Sequence, residues 1–297
     1  MGGNMYFGPP PQQLVAELFA TVPDPMRTGP GGKRLGFLEG PSFDRAGNLL
    51  CVDVQGGRVY RISPGRDWEI LVEYDGIPNG LKLHRDGRAF IADRKNGLMV
   101  LDPATGKIDT LLSGPAAGQR FKGLNDLHFA ANGDLYFTDQ GRTGLQDPTG
   151  CVYRLSATGN LDCIIANAPS PNGLVLNKRE NALFLAVTRA NAIWRIELDD
   201  PACRAGLFTQ LFAAGPDGIA LDDDGNLVVA HPTIGAVWLF SRIGEPLFYI
   251  KTCAREMTTN VAFGGPDNKT LYITESRSGS ILTARLPTAG KRMFSHS

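Results

Sequence analysis

One short pattern recurs six times along this chain, and it restricts the possible folds more than any other feature. A polar residue is followed by a small or turn residue, then apolar-x-apolar, then a turn rich in Gly, Asp and Asn. The copies are Glu39-Gly-Pro-Ser-Phe, Asn79-Gly-Leu-Lys-Leu, Asn125-Asp-Leu-His-Phe, Asn172-Gly-Leu-Val-Leu, Asp217-Gly-Ile-Ala-Leu and Thr259-Asn-Val-Ala-Phe. Their first positions follow one another at 40 to 47 residues. That period is the signature of a propeller blade. The expectation is an all-β fold, a six-bladed β-propeller. Its blades open near 39, 79, 125, 172, 217 and 259, in a single domain over residues 1–297.

Within each repeat, short apolar runs flank the turns, as hairpins require. Asp44-Arg-Ala-Gly-Asn and Asp222-Asp-Asp-Gly-Asn are examples. The last repeat has chain for about three strands, which leaves Leu14–Val22 as the spare. This segment is expected to join the final blade and remove an exposed edge. Its other reading is a short N-terminal helix. Two irregular stretches, Pro23–Lys33 and Ser113–Arg120, enter inner strands and are candidate loops over a site.

Lys+Arg and Asp+Glu are each 30, with no basic block, which argues against nucleic acid as a partner. No apolar run approaches a membrane span, and the first ten residues do not resemble a signal peptide. The five cysteines lack CxxC spacing and read as buried free thiols. The expectation is a cytoplasmic monomer or small homo-oligomer with no membrane partner.

A polar residue at one register in every repeat is carried to one axis when the ring closes. Glu39 and Asp217 bring two carboxylates there, and Asn125 and Asn172 two amide oxygens. This set neutralises a divalent cation and suits Ca²⁺ first, with Mg²⁺, Mn²⁺, Zn²⁺ or Fe²⁺ as alternatives. Residues closing the second strands, Asp53, Asp93, Asp139, Thr188, His231 and Glu275, are expected beside this column. No G-x-S-x-G or H-E-x-x-H motif is present. The chemistry indicated is metal-assisted hydrolysis, with Asp217 as base or nucleophile and His231 orienting it or relaying a proton. His231 has a second reading, as a packed histidine beside Pro232. Asn125, Arg120, Arg142, Arg189 and Arg277 are the candidate substrate contacts on the same face.

At these residues the chain resembles the superfamily of senescence marker protein (regucalcin), gluconolactonase and luciferin-regenerating enzyme. The motifs carrying the resemblance are Glu39-Gly-Pro, Leu124-Asn-Asp with Tyr136-Phe-Thr-Asp139, Ser170-Pro-Asn-Gly173, Pro216-Asp-Gly218 and the run from Thr259 to Thr274. The resemblance implies a six-bladed propeller with one axial divalent cation, held by Glu39, Asn172 and Asp217. It implies Asn125 as a further or water-mediated ligand, and Asp217 as base or nucleophile. The sugar-lactonase branch has an arginine two residues before the Asn-Asp asparagine, where this chain has Gly123. The pattern is closer to the bacterial gluconolactonase branch. A small lactone is the substrate implied. A phosphotriester hydrolase on the same metal, or a non-catalytic calcium-binding scaffold, are the alternatives.

Overall fold

The computed structural model describes residues 9–29 and 35–297. Each repeat forms one antiparallel sheet whose strands lie in chain order from the axis outward. The innermost strands are Leu38–Phe43, Pro78–Leu83, Leu124–Phe129, Pro171–Leu176, Ile219–Leu221 and Thr258–Gly264. Consecutive inner strands are neighbours, and the sixth lies beside the first, so the six sheets close a ring. The architecture is a six-bladed β-propeller.

Alternation along the inner strands explains both the core and the axis. Third and fifth positions of the repeat, such as Leu81 and Leu83 or Leu127 and Phe129, enter hydrophobic clusters. Among the described residues six such clusters form, one at each seam between adjacent blades. Polar residues are left to the axis. Burying apolar area in flat seams, at about 25 cal/mol per Å², holds the blades together without helices.

Inner strands approach so closely that several axial positions admit only glycine. A methyl group on Gly80 would lie 2.7 Å from the Asn125 carbonyl oxygen and from the Asp126 Cα. One on Gly218 would lie 2.1 Å from the Asn260 side-chain oxygen. Both distances are shorter than any real carbon contact, so glycine sets the diameter of the ring.

The N-terminal segment departs from the single strand expected over Leu14–Val22. Gln12–Val15 pairs in parallel with Pro246–Lys251, the outer strand of blade five. Glu17–Thr21 pairs antiparallel with Ser280–Arg285 of blade six. Ala16, almost fully buried, stands between the two, its backbone N–H donating to the Lys251 carbonyl. One segment therefore covers two open edges. The expected loop Pro23–Lys33 holds a short 3₁₀ turn at Asp24–Met26, and its residues from 30 onward lie outside the described residues. Ser113–Arg120 is irregular and mostly exposed.

The cysteines also differ from expectation. Cys51 is buried, but Cys163 and Cys253 are exposed and Cys151 and Cys203 partly so; all five are free.

Candidate active site

The first positions of the repeat come together around one mouth of the axial channel. Glu39, Asn125 and Asn172 are each at least 95% buried, while Asp217 keeps some contact with solvent. Asn125 Nδ2 donates to Gln140 Oε1 at 2.9 Å, and Asn172 Nδ2 donates to Thr188 Oγ1 at 3.2 Å. With their NH₂ groups so held, the amide oxygens of both residues point elsewhere. Among the described residues neither Asn125 Oδ1 nor Asn172 Oδ1 has a hydrogen-bond partner, although both are buried. A buried carbonyl oxygen without a partner is costly, and a cation is one group that would relieve it.

The carboxylates carry a matching strain. Burial raises the Glu39 carboxyl well above its ordinary range, and the charges of Asp217 and Asp126 raise it further. Burial draws Asp217 up to about 7, partly offset by a hydrogen bond from Asn172 and reinforced by the charge of Asp126. Acids that repel one another in a confined channel need positive charge among them to ionise. Among the described residues no three His, Cys, Asp or Glu side chains are grouped for a metal. A cation here would have to use amide oxygens, and the two unpartnered ones are those of Asn125 and Asn172. Glu39, Asn125, Asn172 and Asp217 fit a hard divalent cation.

Asn79 and Thr259, the other first positions, are buried as well. Thr259 Oγ1 is engaged with the Leu38 carbonyl at 3.0 Å and with Ser276 Oγ at 2.7 Å, so it ties blade six to blade one.

Two residues at the second position of the repeat went unnoticed in the sequence. Four blades have glycine there, but blade three has Asp126 and blade six has Asn260. Asn260 Nδ2 donates to Glu39 Oε2 at 3.0 Å and reaches Asp126 Oδ2 at 3.3 Å. The axis is spanned at this level by side chains from opposite blades.

The second-strand ends, expected beside the column, are engaged by backbone groups. Asp53 accepts from Gly36 N at 2.8 Å, Asp93 from Ile77 N at 2.9 Å, Asp139 from Gly123 N at 2.8 Å and Glu275 from Met257 N at 2.9 Å. Each fastens the loop that enters its own blade's inner strand. His231 is the blade-five counterpart. Its Nδ1 accepts from Trp238 Nε1 at 3.1 Å, so Nε2 carries the proton and donates to the Ala214 carbonyl. Both ring nitrogens are thus committed, and burial keeps the ring below its usual pKa and neutral. The ring anchors the loop delivering Asp217 and has no nitrogen free to relay a proton.

The rim arginines are divided. Arg120, Arg142, Arg189 and Arg277 are all exposed. Arg277 Nη1 bonds Glu256 Oε2 at 3.1 Å, directing it along the rim. The arginine tied to the column is Arg94, absent from the expected set. Its Nη1 donates to Gln140 Oε1 at 3.1 Å, the same oxygen that holds Asn125, and its Nη2 to the Gly141 carbonyl at 3.3 Å. The only signal for it was its place directly after Asp93, at a second-strand end.

The chain belongs to the SMP-30/gluconolactonase/LRE-like family, whose model matches residues 37–277. It is 32% identical over 289 residues to a gluconolactonase of Zymomonas mobilis, covering 86% of this chain and 80% of that protein. With lactonase drp35 of Staphylococcus aureus it shares 32% identity over 238 residues, 74% of this chain and 71% of that one. Among solved structures, regucalcin of Agrobacterium tumefaciens, described as a calcium-binding protein, superposes with a TM-score of 0.75. That match has 20% identity and covers 95% of this chain and 100% of the other. No helix among the described residues is long and apolar enough to cross a membrane.

Proposed function

We propose that this protein is a divalent-metal-dependent lactonase. The observation that carries the reading is the pair of buried, unpartnered amide oxygens, Asn125 Oδ1 and Asn172 Oδ1, beside the two strained acids Glu39 and Asp217. Those four residues would hold the cation, with calcium the first choice for an all-oxygen set. When bound, the cation supplies Lewis-acid polarisation of an ester carbonyl and positive charge for the oxyanion. The 32% identity to a gluconolactonase and to a lactonase supports lactone hydrolysis as the reaction.

The chain's own residues supply the rest. Asp217 is the base that takes a proton from water, or the nucleophile that attacks the carbonyl carbon. It is the acid that keeps solvent contact, and its pull toward neutrality makes it basic enough for either task. His231 is a positioning residue, holding the loop before Asp217 through the Ala214 carbonyl. Asn172 stands close enough to Asp217 to favour its ionised form. Arg94 and Gln140 set Asn125 from the opposite side and place a guanidinium where a substrate hydroxyl or carboxylate can meet it.

The test is turnover of gluconolactone, a simple aliphatic lactone and a phosphotriester, with and without chelator. Lactone opening that EDTA abolishes and Ca²⁺ restores is the expected result. Turnover of the phosphotriester alone would move the activity to phosphorus, and no turnover with any metal would end the enzymatic reading.

A further inference from the structure

The axial channel has a second mouth, on the face opposite the candidate active site. There a cavity of about 710 Å³ opens along the axis. The fourth positions of the six repeats, Ser42, Lys82, His128, Val175, Ala220 and Ala262, all line it. Its size is that of a pocket for a small organic molecule.

Two of those side chains lack what burial demands. His128 is 3% exposed, and its Nε2 has no hydrogen-bond partner among the described residues. Lys82 is 8% exposed, and its ammonium makes one long contact, 3.4 Å to the Pro41 carbonyl. It forms no ion pair at contact distance among the described residues, although its charge is felt by buried Asp126 on the other side. An ammonium has three protons to place, and a buried one seeks an anion.

The other cations on the cavity wall are either ion-paired, as Lys291 is, or solvated at the exposed rim, as Arg45 and Arg292 are. Lys291 Nζ is 2.9 Å from Glu180 Oε1. Arg45 Nε donates to the Ser295 carbonyl at 2.9 Å, and Arg292 Nε to that of His296. The one lining acid among the described residues, Asp44, accepts from Ala46 N, Asn48 N and Asn48 Nδ2. Among the described residues, what remains free at depth is the charge of Lys82 and the imidazole of His128. Half-buried Phe43, Phe263 and Tyr272 supply an apolar wall nearer the mouth.

We propose that this cavity is a second binding site, for a small organic monocarboxylate. The carboxylate sits between Lys82 Nζ and His128 Nε2, and the apolar body lies against Phe43, Phe263 and Tyr272. A single negative charge matches the one buried cation left without an ion pair among the described residues of the wall, and the aromatic wall rewards a body larger than that of a bare ion. The proposal does not depend on lactonase activity or on a metal at the other mouth.

Calorimetric titration with octanoate tests it, with 1-octanol, acetate and inorganic phosphate as comparison probes. Octanoate is expected to bind saturably, one per chain, and at least about tenfold tighter than any comparison probe, since a buried charge-assisted hydrogen bond contributes about 1.5–3 kcal/mol. Lys82→Met and Ala262→Phe, the second filling the bore, should each weaken binding about tenfold or more, by the same reasoning. Lys82→Arg should retain it, and thermal melts verify that each variant folds. Asp217→Asn at the other mouth should leave octanoate affinity within about twofold, because Asp217 does not line this cavity and is linked to Lys82 only through the charge of Asp126. Absence of saturable binding, equal binding of acetate, phosphate or octanol, or insensitivity to both Lys82→Met and Ala262→Phe would overturn the proposal. So would loss of binding in Asp217→Asn, which would place octanoate at the upper mouth.

Discussion

Asn260 of blade six and Asp126 of blade three meet across the propeller axis, Nδ2 to Oδ2 at 3.3 Å, and the same amide holds Glu39 at 3.0 Å. One donor group thus serves two carboxylates from two other blades. The remaining four blades have glycine at this level, which leaves room for the bridge.

Removing that donor should be felt in stability. Asn260→Ala leaves Glu39 and Asp126 without their shared partner, at an expected cost of about 1–3 kcal/mol. Asn260→Asp, which adds a fourth acid to Glu39, Asp126 and Asp217, should cost more. Urea unfolding measures both; an unchanged midpoint in Asn260→Ala would show that water replaces the amide.

Asp217→Asn separates holding a cation from catalysis. The amide keeps an oxygen of nearly the same size but loses charge and basicity. Weaker metal binding is expected, together with a kcat lower by about 10²–10⁴-fold that excess metal does not restore. Substantial recovery at saturating metal would reduce Asp217 to a ligand.

Arg94 and Arg277 should behave differently although both are rim arginines. Arg94→Ala frees Gln140 and, through it, Asn125; KM for a polar lactone should rise by about tenfold, more than kcat falls. Arg277→Ala breaks only an exposed pair with Glu256, worth about 0–1 kcal/mol, and should leave both constants within about twofold. Steady-state kinetics of the two variants side by side decide the matter, and equal effects would contradict this assignment.

Gly218→Ala tests the diameter of the ring. Its methyl would have to displace Asn260, whose side-chain oxygen lies 2.1 Å and whose Cα lies 2.7 Å from the new carbon. A loss of about 1–3 kcal/mol or more is expected. Gly206→Ala, on the outer strand Ala205–Gln210 with nothing within 4 Å, should change stability by less than about 1 kcal/mol. Similar melting temperatures for the two would argue against the packing described.

Much of this was legible in the repeat because a closed ring turns sequence period into spatial register. Glu39, Asn125, Asn172 and Asp217 hold one position in four repeats, and the axis collects whatever occupies that position. Asp126 and Asn260 escaped notice because each resembles an ordinary polar turn residue; their meaning depends on which blades face one another across the axis. The second-strand acids were expected beside the column, but what claims their oxygens was not foreseen. Asp53, Asp93, Asp139 and Glu275 end strands at the upper mouth, yet unpaired N–H groups of the incoming loops claim their oxygens first. His231 fastens its loop with the opposite polarity, its ring N–H donating to the Ala214 carbonyl. Arg94 depends on the stagger between blades two and three, which spacing along the chain does not encode.

The division of residues 12–21 between blades five and six sets an order of events during folding. Gln12 must find Phe248, and Glu17 must find Thr283, so the earliest strands in the chain have no partners until the latest ones exist. Such distant pairing makes for slow folding. While it is incomplete, two hydrogen-bonding edges stay bare, those of Pro246–Lys251 and Ser280–Arg285. Any second chain at the same stage carries the very segment that fits them, so refolding yield should fall with protein concentration through exchange of this strand pair between molecules.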